Sequence, residues 1–261
     1  MPTTYTHDLF GKEVYRSLDP KLRKIIRRHG DLYRIGLHGP DILFYYHLWK
    51  NRVNRLGSRM HRQPAAAFFQ ETMEKARETK DEALFAYLLG FACHHLLDST
   101  CHPYINSVKE EVSHTVIEKE LDRMLMLKTG KNPYRYYPSC CIRPRHSYAA
   151  VIHKGIPQVS TGKILKCLKL MKRYTNFMVY DDGGRKRAVL VPLLKLLKHP
   201  SLGEHLMKES CDKACLPHLR ELERLYQQAR KEAPQYLEKL AGQWKTPGPL
   251  PERMNLDYNG N

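Results

Sequence analysis

The sequence predicts an all-α protein: a single multi-helix domain over residues 1–244, followed by a proline-rich tail over 245–261. Three observations carry this. Apolar residues recur at helical spacing along most of the chain, and no stretch alternates apolar and polar residues as a half-buried strand would. Proline stands at Pro20, Pro40 and Pro64, each time just ahead of a periodic apolar segment, where it suits the first turn of a helix. With 261 residues, 42% of them hydrophobic, the chain is long enough to bury one sizeable core.

The elements follow in order. Asp19 and Pro20 supply the cap and first turn of a helix whose Leu22, Ile25 and Ile26 share a side. Pro40 opens a helix over 40–50, and Pro64 one that carries Ala67, Phe68 and Met73. Residues 83–97 are too long an apolar run for a strand, so they read as a central buried helix. The next helix is expected over 107–128, with Val112, Ile117, Leu121 and Leu125 facing inward and Thr129 and Gly130 ending it. Between 132 and 145 the composition shifts to Pro, Tyr, Cys and Arg, which marks a loop. Further helices are expected over 157–178, 186–198 and 216–240, separated by 181–184 and by His199 and Pro200. Beyond Trp244, Pro247, Pro249 and Pro251 predict an extended or disordered tail.

Charge and cysteine content narrow the function. The net charge is +17, and it is uneven: residues 1–130 hold 20 Lys/Arg against 16 Asp/Glu, residues 131–261 hold 24 against 11. Such an excess attracts phosphate, whether in lipid headgroups, nucleic acid or a soluble phosphoester, although solvated basic helix faces are the plainer explanation. Seven cysteines, odd in number and irregularly spread, argue against a disulfide framework. Cys211 and Cys215 stand at helical spacing but lack a second Cys or His pair at finger spacing, so they read as free thiols. No run of about 18 apolar residues occurs, and residues 1–8 are polar where a secretory leader would be apolar, so the expected location is cytoplasmic.

Nine of the fourteen histidines precede residue 119, and they come with carboxylates: His94 with Asp98, then His102, then His114 with Glu118. Residues four apart share a helix face, with side chains about 6 Å apart, close enough to grip one ion together. Imidazole and carboxylate together suit zinc. His94 and Asp98 also lie in the most apolar helix, where an unpaired carboxylate is costly to bury and a cation would relieve the cost. A buried His and Asp hydrogen-bonded to each other is the plainer alternative for this pair.

The run from Phe85 to Asp98, FAYLLGFACHHLLD, with His102-Pro103 and then His114 and Glu118, resembles the central motif of the zinc-dependent phospholipase C and S1/P1 nuclease superfamily. Upstream, Tyr5-Thr6-His7 is similar to the family's N-terminal histidine segment, Gly39-Pro40-Asp41 to its early aspartate, and His61 to a further histidine. The resemblance covers about residues 1–125 and is strongest to a branch of short intracellular bacterial members.

It implies an all-helical phosphodiesterase with two or three zinc ions and a metal-activated water. By that resemblance Asp41, His61, His94 and Asp98 hold one zinc, and His102, His114 and Glu118 a second. Asp98 would bridge to a third on His7 and the chain's N-terminus, with the imino nitrogen of Pro2, freed when Met1 is removed, as the terminal ligand. Asp41 would double as proton acceptor, and His38 would orient it. The gap from Asp98 to His102 is shorter than the family's usual one, which makes His95 and His47 reserve candidates.

A phospholipid headgroup is the expected substrate, with Tyr134, Arg135 and Tyr136 as a rim that meets the headgroup and the bilayer surface. A packed surface loop explains the same residues. The nuclease alternative would stack bases on those tyrosines and follow the backbone with Lys163, Lys166, Lys169, Lys172 and Arg173, a series that a solvated amphipathic helix also produces. A third possibility is a non-enzymatic basic scaffold that binds nucleic acid or membrane and folds around structural zinc.

Overall fold

A computed structural model describes residues 4–47, 49–179, 181, 184–198, 200–208 and 210–261. Pro2, Asp182, Gly183 and His199 lie outside them. Among the described residues there is no strand. The α-helices are α1 (Thr4–Ser17), α2 (Pro20–Arg28), α3 (Gly30–Gly36), α4 (Arg52–Met60), α5 (Ala66–Glu78), α6 (Glu82–Ser107), α7 (His114–Lys128), α8 (His146–Gly155), α9 (Thr161–Val179), α10 (Arg185–Leu196) and α11 (Leu216–Lys245).

Helix α6 is the axis of the fold. Asp81 caps it by accepting from the Leu84 backbone N–H, and every residue from Leu84 to His102 is buried. Such all-round burial requires neighbours on every side, and α1, α3, α5, α8 and α11 supply them. The closest neighbour is α3. A Cβ on Gly90 would sit 2.0 Å from the Tyr33 carbonyl oxygen, and one on Gly36 would sit 2.2 Å from that of Tyr87. Glycine at both positions lets the two backbones touch, which brings the segment after α3 against His94.

Four expectations need correction. First, α6 does not end near residue 97 but runs on through His102 and Pro103 to Ser107. Second, the helix expected over 107–128 starts only at His114, because Ser113 caps it by accepting from the Val116 N–H at 3.3 Å while Val108 and Val112 turn into the core. Third, Pro40 opens a short 3-10 segment, Gly39–Tyr45, rather than a helix to residue 50. Its free carbonyls are taken by side chains: Asn54 donates to Leu43 O (2.9 Å) and Phe44 O (3.1 Å), and Asn51 to Tyr46 O (2.6 Å). Fourth, the tail after Trp244 is folded. Gln243 donates to Pro249 O (2.6 Å) and accepts from Gly248 N (3.0 Å), and Pro251, Met254, Asp257 and Tyr258 are buried. The prolines lack N–H groups, so this stretch needs few partners to fold back. Helices α1, α3, α4 and α8 have no counterpart among the expected elements.

The basic half behaves mostly as a solvated surface. In α9, Ile164, Leu168 and Met171 are buried while Lys163, Lys166 and Lys169 face out. Lys172 donates to Ile142 O at 3.1 Å.

Candidate metal centre

Five elements converge on one buried cluster. α1 brings His7, the 3-10 segment Asp41, the end of α4 His61, α6 the series His94, Asp98 and His102, and α7 His114 and Glu118. Asp98 lies at the centre: His7 Nε2 is 3.3 Å away, His94 Nε2 3.1 Å and His102 Nε2 3.9 Å. On one flank, Asp41 has His61 Nε2 at 2.8 Å and His94 Nε2 at 3.7 Å. On the other, Glu118 Oε1 has His114 Nε2 at 3.0 Å and His102 Nε2 at 3.4 Å. Three sets have ligand atoms within 4.8 Å of one another: His7, Asp41 and His94; His61, His94 and Asp98, which share His94 with the first; and His102, His114 and Glu118. The short step from Asp98 to His102 is one helical turn, so it keeps His102 on the cluster's face instead of rotating it away.

Burial of the carboxylates alone would raise their pKa values. The imidazoles reverse that, His94 first, then His102 and His7, and hold Asp98 well below the usual carboxylate range. Asp41 is held down by His94 and His61, and Glu118 by His114 and His102. In return, and against burial, Asp98 and Glu118 push His102 up to about 10, and His7 and His61 also rise.

Whether a cation fits is answered by the atoms left without a partner. Asp41 Oδ2, His94 Nε2 and Glu118 Oε2 are buried and hydrogen-bonded to nothing among the described residues. His94 Nε2 is near both Asp98 and Asp41 yet makes a hydrogen bond to neither. Burying such atoms unpaired costs kcal/mol each, and zinc, which takes imidazole nitrogen and carboxylate oxygen together, would satisfy all three.

The reserve histidines are engaged elsewhere. His95 bonds the Tyr236 hydroxyl (2.8 Å) and Leu256 O (3.1 Å), and His47 stacks on Trp49. The His38 imidazole, expected to orient Asp41, makes no hydrogen bond to it; its Nε2 meets Cys141 Sγ at 3.3 Å, and burial depresses its pKa to about 3, while its backbone carbonyl accepts from Asp41 N at 3.0 Å. The tyrosine loop stands against α1: the Tyr136 ring meets Tyr5 edge-on at 5.3 Å, and its hydroxyl lies 3.4 Å from Cys140 Sγ. Tyr134 is half-buried and Arg135 exposed.

A scan against protein-family models matches residues 6–161 to one family, described as zinc dependent phospholipase C. The chain belongs to this family. No curated protein and no solved structure matches it. The matched segment contains all eight His, Asp and Glu residues of the cluster. That membership, together with a donor set suited to zinc, supports a zinc-dependent, phospholipase-like hydrolase.

Two groups of residues that brace the centre escaped the sequence reading. Asp122, one turn beyond Glu118 on α7, accepts from Thr6 N (2.7 Å), Thr6 Oγ1 (2.6 Å) and Tyr5 N (3.2 Å), tying the start of α1 and hence His7 to α7. Its helical spacing from Glu118 was the available signal. The folded tail is the second group, and it lies outside the family match. His102 Nδ1 donates to Tyr258 O at 2.8 Å, which leaves Nε2 free to face the cluster. Tyr258 N and Asn259 Nδ2 both donate to His61 O at 3.3 Å, and the Tyr258 ring packs on His61 and His94. Gly260, at φ +80°, has no room for a side chain: a Cβ there would lie 2.6 Å from Pro103 Cγ. Gly260→Ala is therefore expected to shift the tail and weaken zinc retention by roughly 10-fold or more, the low end for lost outer partners of a ligand, with helix content unchanged. Zinc competition with a chromophoric chelator measures it. Unchanged affinity would show that the tail does not hold His102.

Proposed function

We propose that this chain is a zinc-dependent phosphodiester hydrolase of the cytoplasm, acting on phospholipid at the headgroup ester. The observation that carries the hydrolase reading is the convergence of eight imidazole and carboxylate side chains, with Asp41 Oδ2, His94 Nε2 and Glu118 Oε2 among their buried atoms that lack a hydrogen-bond partner. Structural zinc takes four ligands and leaves none over, so a set this large fits chemistry better than scaffolding.

Two or three zinc ions bound there would polarise the phosphoryl oxygens and lower the pKa of a water near them. The chain does the rest. Asp98 and Glu118, held ionised, offset the positive charge at the centre, and the imidazoles of His7, His61, His94, His102 and His114 fix the positions of the donors. Asp41, which meets His61 through Oδ1 and leaves Oδ2 unpartnered, would accept a proton from the attacking water on whichever carboxylate oxygen does not hold a metal. The Pro2 nitrogen, as a further ligand, belongs to the same proposal.

A lipid is favoured by an open cleft of about 450 Å³, lined by Met60, Gln63, Pro64, Phe68, Tyr258 and the alanines of 65–67, whose Tyr258 ring packs on His61 and His94. It offers apolar surface for acyl chain next to the donors, which a nucleic acid would not require. Tyr134, Arg135 and Tyr136 are proposed to contact the headgroup from the α1 side. The test is a substrate panel with the intact chain: turnover of bis-p-nitrophenyl phosphate and short-chain phosphatidylcholine, with single-stranded DNA left whole. Cleavage of DNA without cleavage of lipid would replace the phospholipase reading by the nuclease one.

A further inference from the structure

Helix α10 has no buried residue. Its surface is nonetheless apolar: Val189 is 67% exposed, Leu193 44%, Leu196 79% and the adjoining Leu197 55%. Positions 189, 193, 196 and 197 are the i, i+4, i+7 and i+8 positions of one helix face, so these side chains form one stripe instead of being scattered. A contiguous exposed apolar stripe on a charged protein marks a contact surface.

The charge around the stripe indicates what covers it. From 185 to 198 the chain carries Arg185, Lys186, Arg187, Lys195 and Lys198 and no acidic residue. Basic residues flanking an apolar face, on a helix lying on the surface, are the pattern of a segment that rests in a bilayer interface and is drawn to anionic headgroups.

The helix is also placed to matter for the metal centre. Asp181 caps it, accepting from Lys186 N (2.9 Å) and Arg187 N (2.8 Å). Arg187 Nη1 donates to Leu206 O at 3.2 Å, which fastens α10 to the segment over 200–208. That segment is fastened to α7, since Lys119 donates to Glu204 O (2.9 Å) and Ser113 to Glu204 Oε2 (2.8 Å). Helix α7 carries His114, whose side chain is 40% exposed and is the most open of the candidate ligands. The apolar helix and the accessible side of the metal cluster thus belong to one connected part of the molecule.

We propose that α10 is a membrane-docking helix, laying Val189, Leu193, Leu196 and Leu197 into the surface of an anionic bilayer. This deepens the phospholipid reading, on which its role in substrate access rests. All four residues are exposed, so replacing them leaves the core intact.

The experiment is co-sedimentation of the full-length protein with vesicles of phosphatidylcholine, with and without phosphatidylserine, alongside a Leu193→Glu/Leu196→Glu variant. The wild type is expected to bind the anionic vesicles more strongly, less so at high salt, and the double variant to bind roughly 10-fold more weakly or worse. Hydrolysis of bis-p-nitrophenyl phosphate, which needs no membrane, is expected to be the same for both. Equal vesicle binding by the two proteins would overturn the proposal, as would a wild type that ignores vesicles. A concentration-dependent dimer that the double variant abolishes would overturn it too, by making a second copy the occupant. Failure of the hydrolase reading has a different signature, no turnover of the soluble ester by either protein.

Discussion

Asp98→Ala is expected to strip the chain of bound zinc and to reduce phosphodiester hydrolysis by more than about 100-fold, beyond what loss of an outer partner of a metal ligand usually costs. Asp98 is the residue on which three imidazoles converge, from α1 and from the turns before and after it on α6. Without the carboxylate, His7 and His102 lose the neighbour that keeps them in place and raises their pKa values. Metal content and turnover are expected to fall together in this variant and in His94→Ala, while Lys166→Ala, on the outer face of α9, leaves both unchanged. Equal losses from Lys166→Ala and Asp98→Ala would sink the site assignment.

The second large effect is on stability. Gly90→Val is expected to cost about 3 kcal/mol or more, because the new side chain meets backbone, the Tyr33 carbonyl 2.0 Å from its Cβ, and cannot be relieved by a rotamer change. At roughly 2–4 °C per kcal/mol for a chain of this size, thermal unfolding should shift down by about 6–12 °C. Gly162→Ala is the matched control: it is helical, has nothing within 4 Å of its Cβ, and is expected to be neutral or slightly stabilising. Similar melting temperatures for the two variants would show that α3 and α6 do not need to touch. Because His94 is one turn past Gly90, the same variant should also weaken zinc binding.

The parts of this protein that local pattern controls are the parts its sequence reveals. The apolar run of α6 and the amphipathic spacing of α9 and α11 follow from side-chain periodicity, which is written residue by residue. The i, i+4 steps among His94, Asp98 and His102, and from His114 to Glu118, likewise place donors on one helix face before any tertiary contact is known. Where the sequence misleads, a partner distant in the chain decides the outcome. Pro40 cannot reveal that Asn51 and Asn54 will take the carbonyls after it and leave a 3-10 turn. The prolines after Trp244 cannot reveal that Gln243 will hold the tail, or that Tyr258 O will reach His102, 156 residues away in sequence. His38 had a place beside Asp41 in sequence, yet burial against Cys141 took it instead.

The measurement that tests the central claim most directly is elemental analysis of the purified full-length protein with an untagged N-terminus. The proposed hydrolase reading predicts two or three zinc ions per chain, lost together with activity in His94→Ala. A well-folded protein that contains essentially no metal, and takes up none on titration with zinc, would contradict it and leave a basic helical binding protein in its place.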